Sequence, residues 1–230
     1  VTETAARAAA EPRAPKQDRS RATRERLLAA TIRVLAEGGW PAATVGAVAA
    51  AAEVSRGATQ HHFPTREDLI TAALEHMFAE RMEQVRASGP SAAADRRTLV
   101  REVVHTVVAQ YTDDMFKAAL HAWTAAVSDP ALRDRLLPLE NRFSREVFLL
   151  AAARLDADLD HEPTRRALQT TLDLARGLGL ADLLSDDSAR RAPIADAWAE
   201  HLDAVLRTRA PEGAGDDDAG RGESGPRGPF

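Results

Sequence analysis

The chain has 230 residues, 44% of them hydrophobic, with 3 Trp, 1 Tyr, 6 Phe and no cysteine. That apolar share buries a core and excludes a wholly disordered chain. The missing thiols exclude disulfide scaffolds, thiolate metal sites and cysteine nucleophiles. Few aromatics against an Ala- and Leu-rich background favour helices over a sandwich or barrel. No apolar run approaches the roughly 20 residues of a membrane helix, and the first 21 residues hold no apolar secretory segment, so the expected location is the cytoplasm.

The net charge of −5 divides unevenly: residues 1–66 carry ten Lys/Arg and six Asp/Glu, net +4, and the remainder is net −9. The basic part can approach an anionic polymer that the acidic part would repel. Chance imbalance is an equal reading on charge alone.

Residues 1–18 and 209–230 are poor in large apolar residues and rich in Ala, Pro, Gly and charge. They are expected to be a disordered arm and tail. Between them the pattern predicts about nine helices and no strand, an all-α fold. A first helix over 23–37 carries Leu27, Thr31, Val34 and Leu35 on one stripe and stops at Gly38-Gly39. Thr44 caps a short second helix with Val45, Val48, Ala49 and Ala52 buried, and Ser55 caps a third. Thr65-Arg66-Glu67-Asp68 reads as a capping box opening a fourth helix through Leu69, Ala73, Met77 and Val85. A break follows at Ser88-Gly89-Pro90.

Residues 100–108 are apolar nearly all round, as in a helix buried among others. Phe116, Leu120, Trp123 and Val127 form the next stripe. A helix over 132–155, kinked by Pro138, carries Phe143, Val147 and Leu150. Leu168, Leu172, Ala175 and Gly179 precede a last helix expected to open at Pro193, with Ile194, Trp198, His201, Leu202 and Val205 on one side. The domains expected are a helix-turn-helix over 19–66 and a helical body over 67–208.

Two short helices joined by a tight turn and braced by a longer one form a helix-turn-helix. The third helix is too short to persist alone, so its neighbours must hold it. It offers Ser55, Arg56, Gly57, Thr59, Gln60 and His61, groups that are small or able to hydrogen-bond base edges in a major groove. Arg66 opens the fourth helix, where the macrodipole disfavours a cation, and a backbone phosphate would reverse that sign. The alternative is a solvated arginine offset by Glu67 and Asp68. Arg19, Arg21, Arg24 and Arg26 are candidates for a phosphate-touching arm or for plain solvation.

The run from Leu27 through Gly39, then Thr44-Val45, then Val54 through Leu69, resembles the DNA-binding domain of the TetR family of bacterial transcriptional regulators. The resemblance is specific over about residues 20–80; downstream it is architectural. It implies a homodimeric repressor without catalysis or cofactor. Such a protein binds a palindromic duplex operator and leaves it when a small molecule enters the C-terminal domain. It places Thr44, Val45, Ser55, Arg56, Gly57, Gln60, His61 and His62 toward DNA and Arg66 on a phosphate. Glu53 stands where the family's turn commonly has glycine, and Gln60 where a phosphate-touching tyrosine is common.

His61-His62 is not read as a metal site: neighbours on a helix diverge by about 100°, and no third ligand is near. In the body, His105 and Tyr111 are the polar groups expected inside an effector cavity, with Phe116, Trp123 and Phe143 as walls; the alternative for each is ordinary core or surface. His121 shares a face with Lys117, Thr124 and Ser128 and is expected toward solvent. Gly177 and Gly179 in a helix point to close approach of another helix. Leu172, Ala175, Gly179, Ile194, Trp198, Leu202 and Val205 are the expected dimer seam, a four-helix bundle across a two-fold axis; the alternative is that both faces pack within the chain. The alternatives are an all-helical enzyme or small-molecule carrier with a merely structural helix-turn-helix, and an adaptor that binds only protein.

Overall fold

The structure is a computed structural model and describes residues 16–87, 93 and 95–209. The remainder of the expected arm and tail, and the break at Ser88-Gly89-Pro90, lie outside the described residues. Among those described, nine helices follow one another: α1 (Lys16–Ala42), α2 (Val45–Ala51), α3 (Arg56–His62), α4 (Arg66–Ala87), α5 (Arg96–Ala109), α6 (Asp114–Ser128), α7 (Pro130–Arg154), α8 (Glu162–Ala181) and α9 (Ser188–Val205). No helix among them is long and apolar enough to cross a membrane.

Local chemistry sets most boundaries. The hydroxyl of Thr44 accepts from the Ala47 amide at 3.1 Å, and that of Ser55 from the Ala58 amide at 3.2 Å, each relieving one unpaired donor of a helix start. Thr65 and Asp68 close the expected box: the Thr65 hydroxyl accepts from the Asp68 amide at 3.0 Å, and the Asp68 carboxylate from the Thr65 amide at 3.2 Å. Asp95, Asp113 and Asp129 cap α5, α6 and α7 in the same manner.

Two boundaries differ from expectation, the starts of α1 and α9, while the break at Gly39 falls where expected. Helix α1 begins at Lys16, so residues 16–18 are helical, and its regular course breaks at Gly39, with φ 71° and ψ −175°. Helix α9 begins at Ser188, with Pro193 inside it. After α9 the chain pairs antiparallel with the segment that leaves α7: the amide of Asp158 donates to the Arg207 carbonyl at 2.8 Å, and that of Arg209 to Asp156 at 2.9 Å.

Two apolar clusters form the interior. One joins Leu27, Leu28, Leu35, Val48, Phe63, Leu69 and Ile70 to Ala118, Ala122, Ala126, Leu132 and Leu136. The other gathers the valines of α5 with Phe116, Phe143, Val147, Leu168, Leu172 and Leu202. Helix α4 contributes to both, with Leu69, Ile70, Ala73 and Leu74 in the first and Phe78 and Met82 in the second.

The expected stripe on α6 is only half realised, because Val127 is 77% exposed. The helix instead presses Ala118, Ala122 and Ala126 into the cluster it shares with α1, since small side chains let two helices approach closely.

The expected seam residues are also turned inward. Leu172, Ala175, Gly179 and Leu202 are buried within the chain itself, and Ile194, Trp198 and Val205 pack on the same cluster. Trp198 donates its indole N–H to the Thr171 hydroxyl at 2.8 Å. The close neighbour of Gly179 is the chain's own Tyr111: a Cβ there would lie 1.9 Å from the Tyr111 carbonyl oxygen. Gly177 has nothing within 4 Å of such an atom. The wide apolar faces of α8 and α9 are consumed by the body's own core, which a one-dimensional pattern cannot distinguish from a partner's surface.

Candidate nucleic-acid interface and effector cleft

The turn between α2 and α3 is a C-terminal cap built on Glu53. Its φ of 54° is left-handed, the amide of Glu53 donates to the Ala50 carbonyl at 3.1 Å, and that of Val54 to Ala49 at 2.9 Å. The position has the geometry that favours glycine, and an exposed glutamate occupies it.

Helix α3 has only seven residues and is held at its C-terminal end and through α2. Phe63, 4% exposed, anchors its end in the cluster beneath α1, and the Arg24 guanidinium lies 5.4 Å from that ring's centroid. Arg33 of α1 donates to the Ala51 carbonyl at 3.0 Å, tying the end of α2. Arg24, a candidate for the phosphate arm, therefore braces the last turn of α3.

Ser55, Arg56, Gly57, Gln60 and His61 are exposed and Thr44 is exposed at the start of α2, while Val45 and His62 are half-buried. Gly57 has open space around it, so the backbone there is approachable. Two of the proposed DNA-facing residues are placed otherwise. Thr59 is fully buried and its hydroxyl donates to the Ser55 carbonyl at 3.1 Å, so it faces the interior. Arg66 turns back onto α1: its guanidinium donates to the Trp40 carbonyl and lies 4.3 Å from the centroid of the Trp40 ring. A tryptophan face and a carbonyl engage the cation that the helix start disfavours, although its buried Nε has no partner, so Arg66 is not presented as a free phosphate ligand here. Trp40 carried no distinguishing signal beyond being a large residue after a glycine pair.

A cleft of about 490 Å³, counting its open mouth, lies between α4, α6 and α7. Phe116, Trp123 and Phe143 line it as expected, joined by Phe78, Gln110 and Glu140. Tyr111 is fully buried beside it, edge-on to Phe116 at 5.4 Å and to Phe143 at 6.0 Å between ring centroids. Burial pushes its phenol pKa up, so it stays protonated.

His105 is not in the cleft. It lies between α5 and α9, where its Nε2 is 2.6 Å from the Asp196 carboxylate. Arg101 meets the same carboxylate through two hydrogen bonds of 2.7 and 3.0 Å. His121 is likewise half-buried rather than solvent-facing, and its ring covers Gly39. Gln110 and Glu140 were missed, although the signal for Glu140 was present: it is the acid on the otherwise apolar run of Leu132, Leu136, Phe143 and Val147.

Residues 27–73 match the family described as bacterial regulatory proteins, tetR family. The chain is 29% identical over 180 residues to the HTH-type transcriptional regulator CymR of Pseudomonas putida, covering 77% of this chain and 88% of that one. Against the HTH-type regulator BetI of Paraburkholderia phymatum it is 26% identical, over 75% and 87% of the two chains. Among solved structures, a TetR family member from Streptomyces coelicolor superposes with a TM-score of 0.58 at 28% identity, over 78% of this chain and 97% of the other. The multidrug binding protein EbrR, solved with imidazole, superposes at 0.53 and 27% identity, over 82% and 97%.

Proposed function

We propose that the chain is a TetR-family helix-turn-helix transcriptional regulator, as its matches to that family support, and that it is a homodimeric repressor without catalytic activity, acting in the cytoplasm. It binds a palindromic duplex operator through α3 of each copy and leaves it when a small molecule enters the cleft. The observation that carries this reading is the outward face of α3, with Ser55, Arg56, Gly57, Gln60 and His61 exposed together on a helix fixed from behind. Residues 19–66 act as the reader, and 67–208 as the effector-binding and dimerising body.

The dimer seam proposed is the outer side of α8 and α9, where Gly177, Leu180, Ala197, His201 and Ala204 are exposed and small or apolar residues predominate. Leu184, just past α8, is 97% exposed. Two such helix pairs across a two-fold axis make a four-helix bundle. Residues of this exposed side take the place of the inward stripe.

Helix α6 supplies the coupling. Met115, Phe116, Ala119 and Trp123 line the cleft, while Ala118, Ala122 and Ala126 pack on the cluster beneath α1. A molecule that displaces α6 displaces α1, and α4 passes through both clusters as a second link. The two readers must enter successive major grooves about 34–36 Å apart, so a small tilt of either copy weakens binding.

The test is a fluorescence-anisotropy titration against duplexes selected from a random pool, at several salt concentrations. A palindromic consensus is expected, with log affinity falling linearly in log salt as phosphate counterions are released. Indifference to every duplex at low ionic strength, with and without candidate metabolites, would sink the reading.

A further inference from the structure

We infer that the effector is an organic cation: an ammonium or quaternary ammonium group carried on an apolar, elongated body. This rests on the reading of the cleft as the effector site and names the class of molecule that it takes.

The first ground is the sign of the cleft's polar features. Its one charged lining residue is Glu140, and its one lining amide is Gln110. The Oε1 of Gln110 is buried without a hydrogen-bond partner, while its Nε2 faces the Thr106 carbonyl at 3.4 Å. That carbonyl fixes which end of the amide is the oxygen, because turning the amide over would set two acceptors against each other. The other lining groups include the rings of Phe78, Phe116, Trp123 and Phe143, whose faces carry negative partial charge. A carboxylate, an orphaned side-chain carbonyl oxygen and the rings of Phe116, Trp123 and Phe143 all attract positive charge.

The nearby cations do not cancel this. Arg176 bonds Glu140 at 3.1 Å, and Ser144 donates to the same carboxylate at 2.8 Å, but both bonds fall on Oε1. The second oxygen keeps its lone pairs for another donor. Arg176 also meets Asp173 at 3.1 Å, so its charge is divided between two acids. Arg142 lies 5.9 Å from the Phe78 ring centroid but is paired with Glu75 at 2.8 Å. Arg81 donates to the Gln110 backbone carbonyl at 3.4 Å but is paired with Asp113. Arg133 borders the outer groove and Arg154 the hollow beyond Gln110.

The second ground is shape. Trp123, Leu136 and Glu140 also border an outer groove that runs over the exposed Val127 and Leu137. Gln110 borders a further apolar hollow lined by Met82, Val103 and Val147. The cleft is thus the middle of a longer apolar track, with Glu140 at one crossing and Gln110 at the other. A compact polar metabolite leaves that track empty, whereas a cation with a hydrocarbon or aromatic body covers it.

The test uses three probes of one shape on the full-length protein: 3-phenylpropyltrimethylammonium, 3-phenylpropanol and 4-phenylbutyrate. Affinity is read by calorimetry, and release of the selected operator by anisotropy. The cation is expected to bind about tenfold tighter than the alcohol, a difference of cation–π and charge attraction, with the carboxylate weakest. Glu140→Gln is expected to abolish the preference for the cation while retaining the alcohol, and Gln110→Leu to reduce the preference in part. Ala119→Trp, which fills the cleft, is expected to remove all binding. Equal or tighter binding of the alcohol or carboxylate to the unaltered protein overturns the inference, whatever the variants do to folding. If that binding is still lost in Ala119→Trp, the cleft remains the effector site and only the cationic class falls. Binding of the cation that survives Ala119→Trp places it elsewhere and overturns the inference, and no binding by any probe overturns the inference and the reading of the cleft together.

Discussion

The ring of His121 on α6 closes directly over Gly39, where α1 breaks: a Cβ on Gly39 would stand 3.3 Å from two atoms of that imidazole. The joint between the reader and the body is therefore a backbone with no side chain beneath an aromatic ring. With φ 71° and ψ −175°, Gly39 occupies a region open essentially to glycine alone. Gly39→Ala is expected to destabilise the protein by about 1–3 kcal/mol. His121→Ala in the same chain relieves the contact but not the dihedral, so thermal melts of the double variant should recover only part of the loss.

Glu53 presents the opposite case, a side chain where none is favoured. Its left-handed φ of 54° carries a cost of about 1–2 kcal/mol for an L-residue, partly offset by the greater freedom glycine has when unfolded. Glu53→Gly is expected to stabilise the protein by roughly 0.5–1 kcal/mol. Removing a negative charge beside the reader should also strengthen operator binding at low salt. Urea melts and anisotropy read the two effects separately.

Gly177 and Gly179 are two residues apart and should behave differently. Gly179→Ala drives a Cβ into the Tyr111 carbonyl, 1.9 Å away, and is expected to cost more than about 3 kcal/mol or prevent folding. Gly177→Ala meets nothing within 4 Å and gains roughly 0.5–1 kcal/mol of helix propensity in the single chain. If the outer side of α8 is the dimer seam, Gly177→Ala should instead weaken association, which sedimentation at graded concentrations detects.

On α3, Arg56→Ala and Gln60→Ala are each expected to weaken operator binding by about 1–3 kcal/mol where the residue reads a base, with little change in melting temperature. Thr59→Ala should do the reverse, lowering stability through its buried site while leaving sequence preference intact. Operator selection repeated with each variant distinguishes the two classes.

The tie between α5 and α9 responds to acid. Hydrogen bonds from Arg101, and then from His105, hold the Asp196 carboxyl pKa down to about 2, below its ordinary 3.8. A lowered acid pKa in the folded state gives stability that is full above pH 3.8 and lost as pH falls toward 2. Asp196→Asn should flatten that portion of the acid-unfolding curve, as followed by circular dichroism.

The starts of α2, α3 and α4 and the reader's existence were legible in the chain because their causes act over a few residues. Thr44, Ser55 and the Thr65–Asp68 pair cap helices through bonds spanning three positions, and a window of sequence contains both partners. Which side of a helix faces inward was decided only by the assembled fold. Arg66 found Trp40, 26 residues away; Thr59 was turned under α3; and the stripes of α8 and α9 were taken by the chain's own core. An apolar stripe records that a face must be covered, not by what. The covering surface is fixed by how the helices share a limited interior, and no local run of residues contains that information.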